Sequence, residues 1–208
     1  MKIGIFGGTF NPVHNGHIRL ADEFKNRLGL DKIIVVPDKR PVHKTWEDLI
    51  IDDMRYDMCA LAFDRPGYEV SRMEMDRESD SYTVLTVREL RKQYKDDELY
   101  LIIGSDMFLI FHKWYKYREI MENCTLCVAS RDDADSIFEL RSYAFSFLKV
   151  YIKELEGKGI IISPVQPYKL SSSEIRQKIK NGADVSEFVP EKVYEYIKKR
   201  GLYGYPKE

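Results

Sequence analysis

Six short, largely apolar runs, alternating with segments of helical period, constrain this fold most. KIGIF (2–6), KIIVVP (32–37), YEVSRMEM (68–75), LYLIIG (99–104), TLCVAS (125–130) and GIIISP (159–164) have the length and β-branched content of strands. Residues 16–28, 48–63, 82–95 and 134–156 show helical spacing. In the second, Ile50, Met54, Met58 and Leu61 form one apolar stripe, and Asp52, Asp53, Arg55 and Asp57 lie away from it. Strands that are apolar throughout have no face to give to water. They require helices on both sides and right-handed crossovers, so the expected fold class is α/β, a doubly wound open parallel sheet. YEVSRMEM alternates more than the others and belongs nearer an edge. Helices over 172–181 and 190–200 complete the chain, with Pro190 opening the last and Val193 and Ile197 on its apolar side. With no repeat, low-complexity tract or linker, the expected organisation is a single domain over 1–208, with 165–208 as a helical C-terminal subregion.

The charge balance narrows the partners. A formal net charge of −1 is not that of a protein that grips nucleic acid through a broad basic surface. An anionic ligand must therefore be held by local positive charge. No apolar stretch approaches the roughly 20 residues of a membrane span, and the run after Lys2 reaches glycines too soon for a secretory signal. Three cysteines cannot build a disulfide framework, so the expected location is cytoplasmic, away from membranes. Cys124-x-x-Cys127 lacks the second pair of a zinc site and lies on a strand, where residues three apart face opposite ways; buried thiols are expected. A homo-oligomer is compatible with the sequence.

In doubly wound sheets ligands bind outside the carboxyl ends of the strands, where the strand order reverses. Three of the four histidines, His14, His17 and His43, fall just after strands one and two; His112 lies beside Trp114. GGTFNPVHNGH (7–17) joins the first strand to the first helix. Gly7 and Gly8 are expected to let the backbone turn and approach a ligand, and Asn15-Gly16-His17 to begin a helix whose free N–H groups favour an anion. The glycines do not follow the dinucleotide-binding order, and no P-loop lysine follows. His14-x-x-His17 lacks a third ligand and a neighbouring carboxylate, so no metal site is expected and the imidazoles are better placed as donors to phosphate. KRPVHK adds Lys39, Arg40, His43 and Lys44 to the same edge, and LSSSEIR (170–176) combines a capping box with Arg176 on its first turn.

Taken together, these motifs resemble the nucleotidyltransferase superfamily marked by HxGH and SSTxIR, with a Rossmann-like fold. Within it they resemble the bacterial nicotinate mononucleotide adenylyltransferases. GGTFNPVHNGH is similar to that family's GGTFDPxHxGH, PVHK to PPHK, SYTVLTV to SYTxDTL, IIGSDMF to its IGxD segment and LSSSEIR to SSTxIR. WYKYREI (114–120) and the terminal GLY (201–203) also agree. The resemblance implies that ATP and nicotinate mononucleotide form deamido-NAD and pyrophosphate in NAD biosynthesis, with Mg²⁺ carried by ATP and pyrophosphate. It implies that His17 contacts the α-phosphoryl group and His14 the adjoining phosphates, with Gly7, Gly8, Thr9 and Phe10 along the nucleotide. Lys44, Ser172, Ser173 and Arg176 would hold phosphates, and Gly104 and Asp106 would face the ribose. Thr86, Trp114 and Tyr115, with Lys44 and Arg131, would form the nicotinate nucleotide site.

The sequence departs from the family pattern at Asn11, where aspartate is usual, at Leu85, which replaces an aspartate of SYTxDTL, and after the fifth strand, where SRDDAD replaces an RPG. Other readings are an adenylyltransferase for nicotinamide mononucleotide or phosphopantetheine, and a non-catalytic nucleotide sensor. A cytidylyltransferase would end in a signature unlike SSSEIR.

Overall fold

Side-chain parity along each strand sorts the apolar residues into two cores. The computed structural model describes residues 1–39, 49–130, 134–151, 159–165 and 170–206, apart from the side chains of 134 and 135. Its strands are β1 (Lys2–Gly8), β2 (Lys32–Pro37), β3 (Tyr68–Val70), β4 (Glu98–Gly104), β5 (Thr125–Ser130) and β6 (Ile160–Pro164). All neighbours pair in parallel, in the order β3-β2-β1-β4-β5-β6.

Ile3, Ile5, Ile34, Val36, Leu99, Leu101, Leu126 and Val128 face one layer, formed by α3 (Thr83–Gln93), α4 (Ser105–Phe108), α5 (Tyr117–Asn123) and α6 (Ala134–Tyr143). Phe6, Ile33, Val35, Ile102 and Cys127 face the other, formed by α1 (Asn15–Leu28), α2 (Asp52–Ala62), α7 (Ser172–Lys180) and α8 (Glu191–Arg200). Helices on both faces make the sheet doubly wound, as expected. Cys124 and Cys127 fall in opposite layers, both buried, and burial raises each thiol to about 12. Among the described residues no helix is long and apolar enough to cross a membrane.

Three elements differ from expectation. β3 lies at the sheet edge but ends at Val70 rather than 75, because the Ser71 hydroxyl takes the Met73 N–H and folds the chain into turns. α2 begins at Asp52, later than the expected 48. The helix expected to reach 156 stops being α-helical after Tyr143; a wide turn over Ala144–Leu148 follows, closed by Lys149 at φ 60°. That widening stacks Phe147 on His112, their ring centroids 4.6 Å apart.

The feature that positions a site is a split in the sheet. β1 and β4 pair only as far as Ile5 and Leu101, whereas β1 follows β2 to Gly8 and β4 follows β5 to Gly104. The two halves therefore part at their carboxyl ends, between the first and fourth strands. That is where the strand order reverses and where such folds leave a crevice.

Candidate active site

Phe10, not a glycine, makes the turn out of β1. It takes φ 48°, with a cis Asn11–Pro12 bond after it, whereas Gly7 and Gly8 keep negative φ as the last residues of the strand. The two glycines act by lacking bulk. Among the described residues a Cβ on Gly7 would have only the Val36 carbonyl oxygen within 4 Å, at 3.9 Å, and so would be uncrowded by them; one on Gly8 would meet the Phe10 ring at 3.0 Å. The Phe10 ring is buried under Gly8 and against Phe6 and His17, so Phe10 offers a ligand its backbone only.

Two carbonyls of the turn are tied down on the protein side. The Gly8 carbonyl accepts the Asp38 N–H at 3.0 Å and the Thr9 carbonyl accepts Arg55 Nη1 at 2.8 Å. The amides on the other ends of those peptide units, Thr9 N–H and Phe10 N–H, have no acceptor among the described residues. Unpaired amides beside a crevice are donors in search of an anion.

α1 begins with a reciprocal pair. His14 is its N-cap and its Nδ1 accepts the Gly16 N–H at 3.1 Å; His17 Nδ1 accepts the His14 N–H, also at 3.1 Å. The imidazoles lie close and tilted, 3.7 Å between centroids and 35° between planes. With Nδ1 an acceptor in both, a neutral ring carries its proton on Nε2, which is then its donor nitrogen. Burial lowers the His14 pKa to about 4, so this ring is neutral near pH 7. Contrary to the expectation from sequence, the helix N–H groups are not free: Asn15 N–H goes to the Phe188 carbonyl, Gly16 N–H to His14 Nδ1, and His17 and Ile18 N–H to the His14 carbonyl.

α7 supplies the free helix terminus instead. Ser171 and Glu174 form its capping box, and the first-turn Ser172 and Ser173 N–H groups have no acceptor among the described residues. The two motifs are bonded to each other. The Ser172 hydroxyl donates to the Pro12 carbonyl at 3.0 Å, and Arg176 Nη1 to the Asn11 carbonyl at 2.9 Å. Arg176 also reaches the Ser173 hydroxyl, while its Nε is shielded from solvent and unpartnered among the described residues.

Across the crevice, β4 ends in Gly104 with the Asp106 carboxylate folded against it, 2.7 Å from where a Cβ would stand. Trp114 follows a short 3₁₀ turn and packs on Phe111, and the exposed Tyr115 lies against Tyr82. Thr86 is buried in α3; its hydroxyl donates to Glu74 and accepts from Arg77, so the side chain is committed to the protein. His112 is occupied by Tyr143. Lys44, with Arg40 and His43, and Arg131 lie outside the described residues. No cluster of three or more His, Cys, Asp or Glu side chains among the described residues is placed to hold a metal ion.

Four site-building residues were not singled out from sequence. Arg55, expected on the wet side of its helix, is fully buried with its guanidinium on Thr9, Asp38 and Asp52. Asp38 accepts the Thr9 hydroxyl, and its place just past β2 was the one sequence signal available. Tyr203 donates to Asn11 Oδ1 from 192 residues away, and burial holds its pKa far above the usual phenol value. Glu74, buried under Thr86, is pushed up by desolvation.

Comparison with known proteins agrees with this geometry. Residues 5–178 match the model of the cytidylyltransferase-like family. The chain is 39% identical to the "Probable nicotinate-nucleotide adenylyltransferase" of Clostridium tetani, over 97% of this chain and 98% of that one. It is 40% identical to the protein of the same name from Dictyoglomus thermophilum, covering 98% and 100%. The nicotinic acid mononucleotide adenylyltransferase of Plasmodium falciparum complexed with NaAD shares the fold, with a TM-score of 0.75 at 17% identity over 99% and 98% of the two chains. Two tethered motifs at the split of a 3-2-1-4-5-6 sheet, and full-length likeness of this degree, place the chain in the cytidylyltransferase-like family, among the nicotinate-nucleotide adenylyltransferases.

Proposed function

We propose that this protein joins ATP and nicotinate mononucleotide into deamido-NAD and pyrophosphate, with the β1–α1 turn and the start of α7 as its phosphate site. A phosphate oxygen of the mononucleotide attacks the α-phosphorus of ATP, a P–O bond forms, and the bond to the β-phosphate oxygen breaks. The nucleophile is ionised near neutral pH, so the protein needs no general base. Catalysis is then alignment and charge stabilisation. The observation that carries this reading is the bonding of Arg176 to Asn11 and of Ser172 to Pro12, which holds two remote donor sets around one space.

Each group then has a task. His17 and His14 donate from Nε2 to the α-phosphoryl and neighbouring oxygens, and Thr9 and Phe10 donate from backbone amides. Arg176, Ser172, Ser173 and Lys44 take the departing pyrophosphate. Gly104 and Asp106 receive the ribose. Thr86, Trp114, Tyr115 and Arg131 receive the nicotinate nucleotide, with the indole against the ring. The residues present suit a Mg²⁺ that arrives with ATP, since the donors named here are amides, hydroxyls, imidazoles and cations. Bound to the phosphates, Mg²⁺ would offset their charge.

Pyrophosphate release from ATP tests the reading, measured with nicotinate mononucleotide, nicotinamide mononucleotide and phosphopantetheine in parallel. The expected result is release with the nicotinate form far above the others. No release with any acceptor would leave a nucleotide sensor.

A further inference from the structure

We propose that Arg55 is a positioning residue that aims the Phe10 amide at the nucleotide and locks the β1–α1 turn to the segment following β2; this rests on the adenylyl-transfer reading. Its side chain is wholly buried and so does not touch the nucleotide. One guanidinium reaches three segments: the Thr9 carbonyl at 2.8 Å, Asp38 at 3.1 Å with the Lys39 carbonyl at 3.4 Å, and Asp52 at 2.7 Å in the first turn of α2. Asp38 closes the set. Its other oxygen accepts the Thr9 hydroxyl at 2.9 Å, and its N–H donates to the Gly8 carbonyl at 3.0 Å.

The physical case is one of direction. A buried ion pair adds little to stability compared with packed apolar side chains, so fold stability alone does not call for an arginine here. Its planar fork fixes acceptors at set angles, which a lysine's point charge does not. A peptide unit is planar and trans, so a carbonyl drawn toward Arg55 sends the N–H of the same unit the opposite way. For the Thr9–Phe10 unit that N–H has no acceptor among the described residues. Arg55 thus orients a donor it never meets, and the same fork ties the ATP turn to residues 38 and 39.

The test is kinetic, on folded full-length protein. Arg55→Lys keeps the charge and loses the fork; it is expected to lower kcat about 10–100-fold and raise KM for ATP, as for a misplaced reacting group. Asp38→Asn keeps the shape and removes one ion pair; about a tenfold loss of kcat is expected. A purely structural role would lower the melting temperature of both and leave kcat per folded molecule within about twofold of wild type, and that result overturns the proposal. Should Arg55→Lys fail to fold, Asp38→Asn decides by the same criterion. If the wild-type protein releases no pyrophosphate, the reaction assignment has failed, and binding of a non-hydrolysable ATP analogue reads Arg55 separately. Weaker binding by the variants then supports the positioning role, and equal binding refutes it.

Discussion

His17 Nδ1 accepts the backbone N–H of His14 at 3.1 Å, so one imidazole both caps the start of α1 and has the tautomer of its neutral form set, with the proton on Nε2. His17→Ala therefore has two effects. Turnover should fall about 10²–10³-fold, the usual loss for one transition-state donor. Stability should fall by about 1 kcal/mol, for the bond no longer made to the His14 amide. Steady-state kinetics and urea unfolding separate the two. Unchanged kcat would remove His17 from the reaction.

Acid should weaken the fold through His14. Its pKa in the folded chain is about 4, below the ordinary 6.5, because burial disfavours the imidazolium. Between those values the unfolded chain binds the extra proton. The stabilisation is therefore complete above pH 6.5 and is lost as the pH falls toward 4. Between pH 7 and pH 5 this group alone should cost about 2 kcal/mol of stability. His14→Asn keeps a side-chain acceptor at the cap but does not titrate, so its urea midpoint should depend less on pH over that range. Identical pH dependence would show that His14 is not buried as a neutral ring.

Gly7 and Gly8 should respond in opposite ways to an added methyl group. At Gly7 no described residue crowds the site, so Gly7→Ala should change stability by no more than about 0.5 kcal/mol. It should nonetheless raise KM for ATP, because the methyl stands where the nucleotide approaches. At Gly8 the methyl would meet the Phe10 ring at 3.0 Å. Gly8→Ala should cost about 1–3 kcal/mol as an overpacked site. Thermal melts and ATP kinetics on the pair check this; an unaltered KM in Gly7→Ala would place the nucleotide elsewhere.

What the sequence made legible was whatever is written locally. β2, β4 and β5 follow from near-continuous apolar runs, and the capping box at Ser171 and Glu174 from its spacing. What it hid depends on partners far along the chain. Arg55 looks like one more charge on a wet helix face until Thr9, Asp38 and Asp52 converge on it. The amide of Asn15 looks free until Phe188 arrives to accept it. The alternation that seemed to carry β3 to Met75 persists in the letters, but the Ser71 hydroxyl turns the backbone away.

The bond from Tyr203 to Asn11 also bears on how the molecule matures. The phenol that braces the β1–α1 turn is translated 192 positions after the asparagine it bonds. The turn is thus braced only after Tyr203 has been made and has folded back onto Asn11. Nascent or clipped polypeptides lacking Tyr203 would carry GGTFNPVHNGH and LSSSEIR but an unbraced turn.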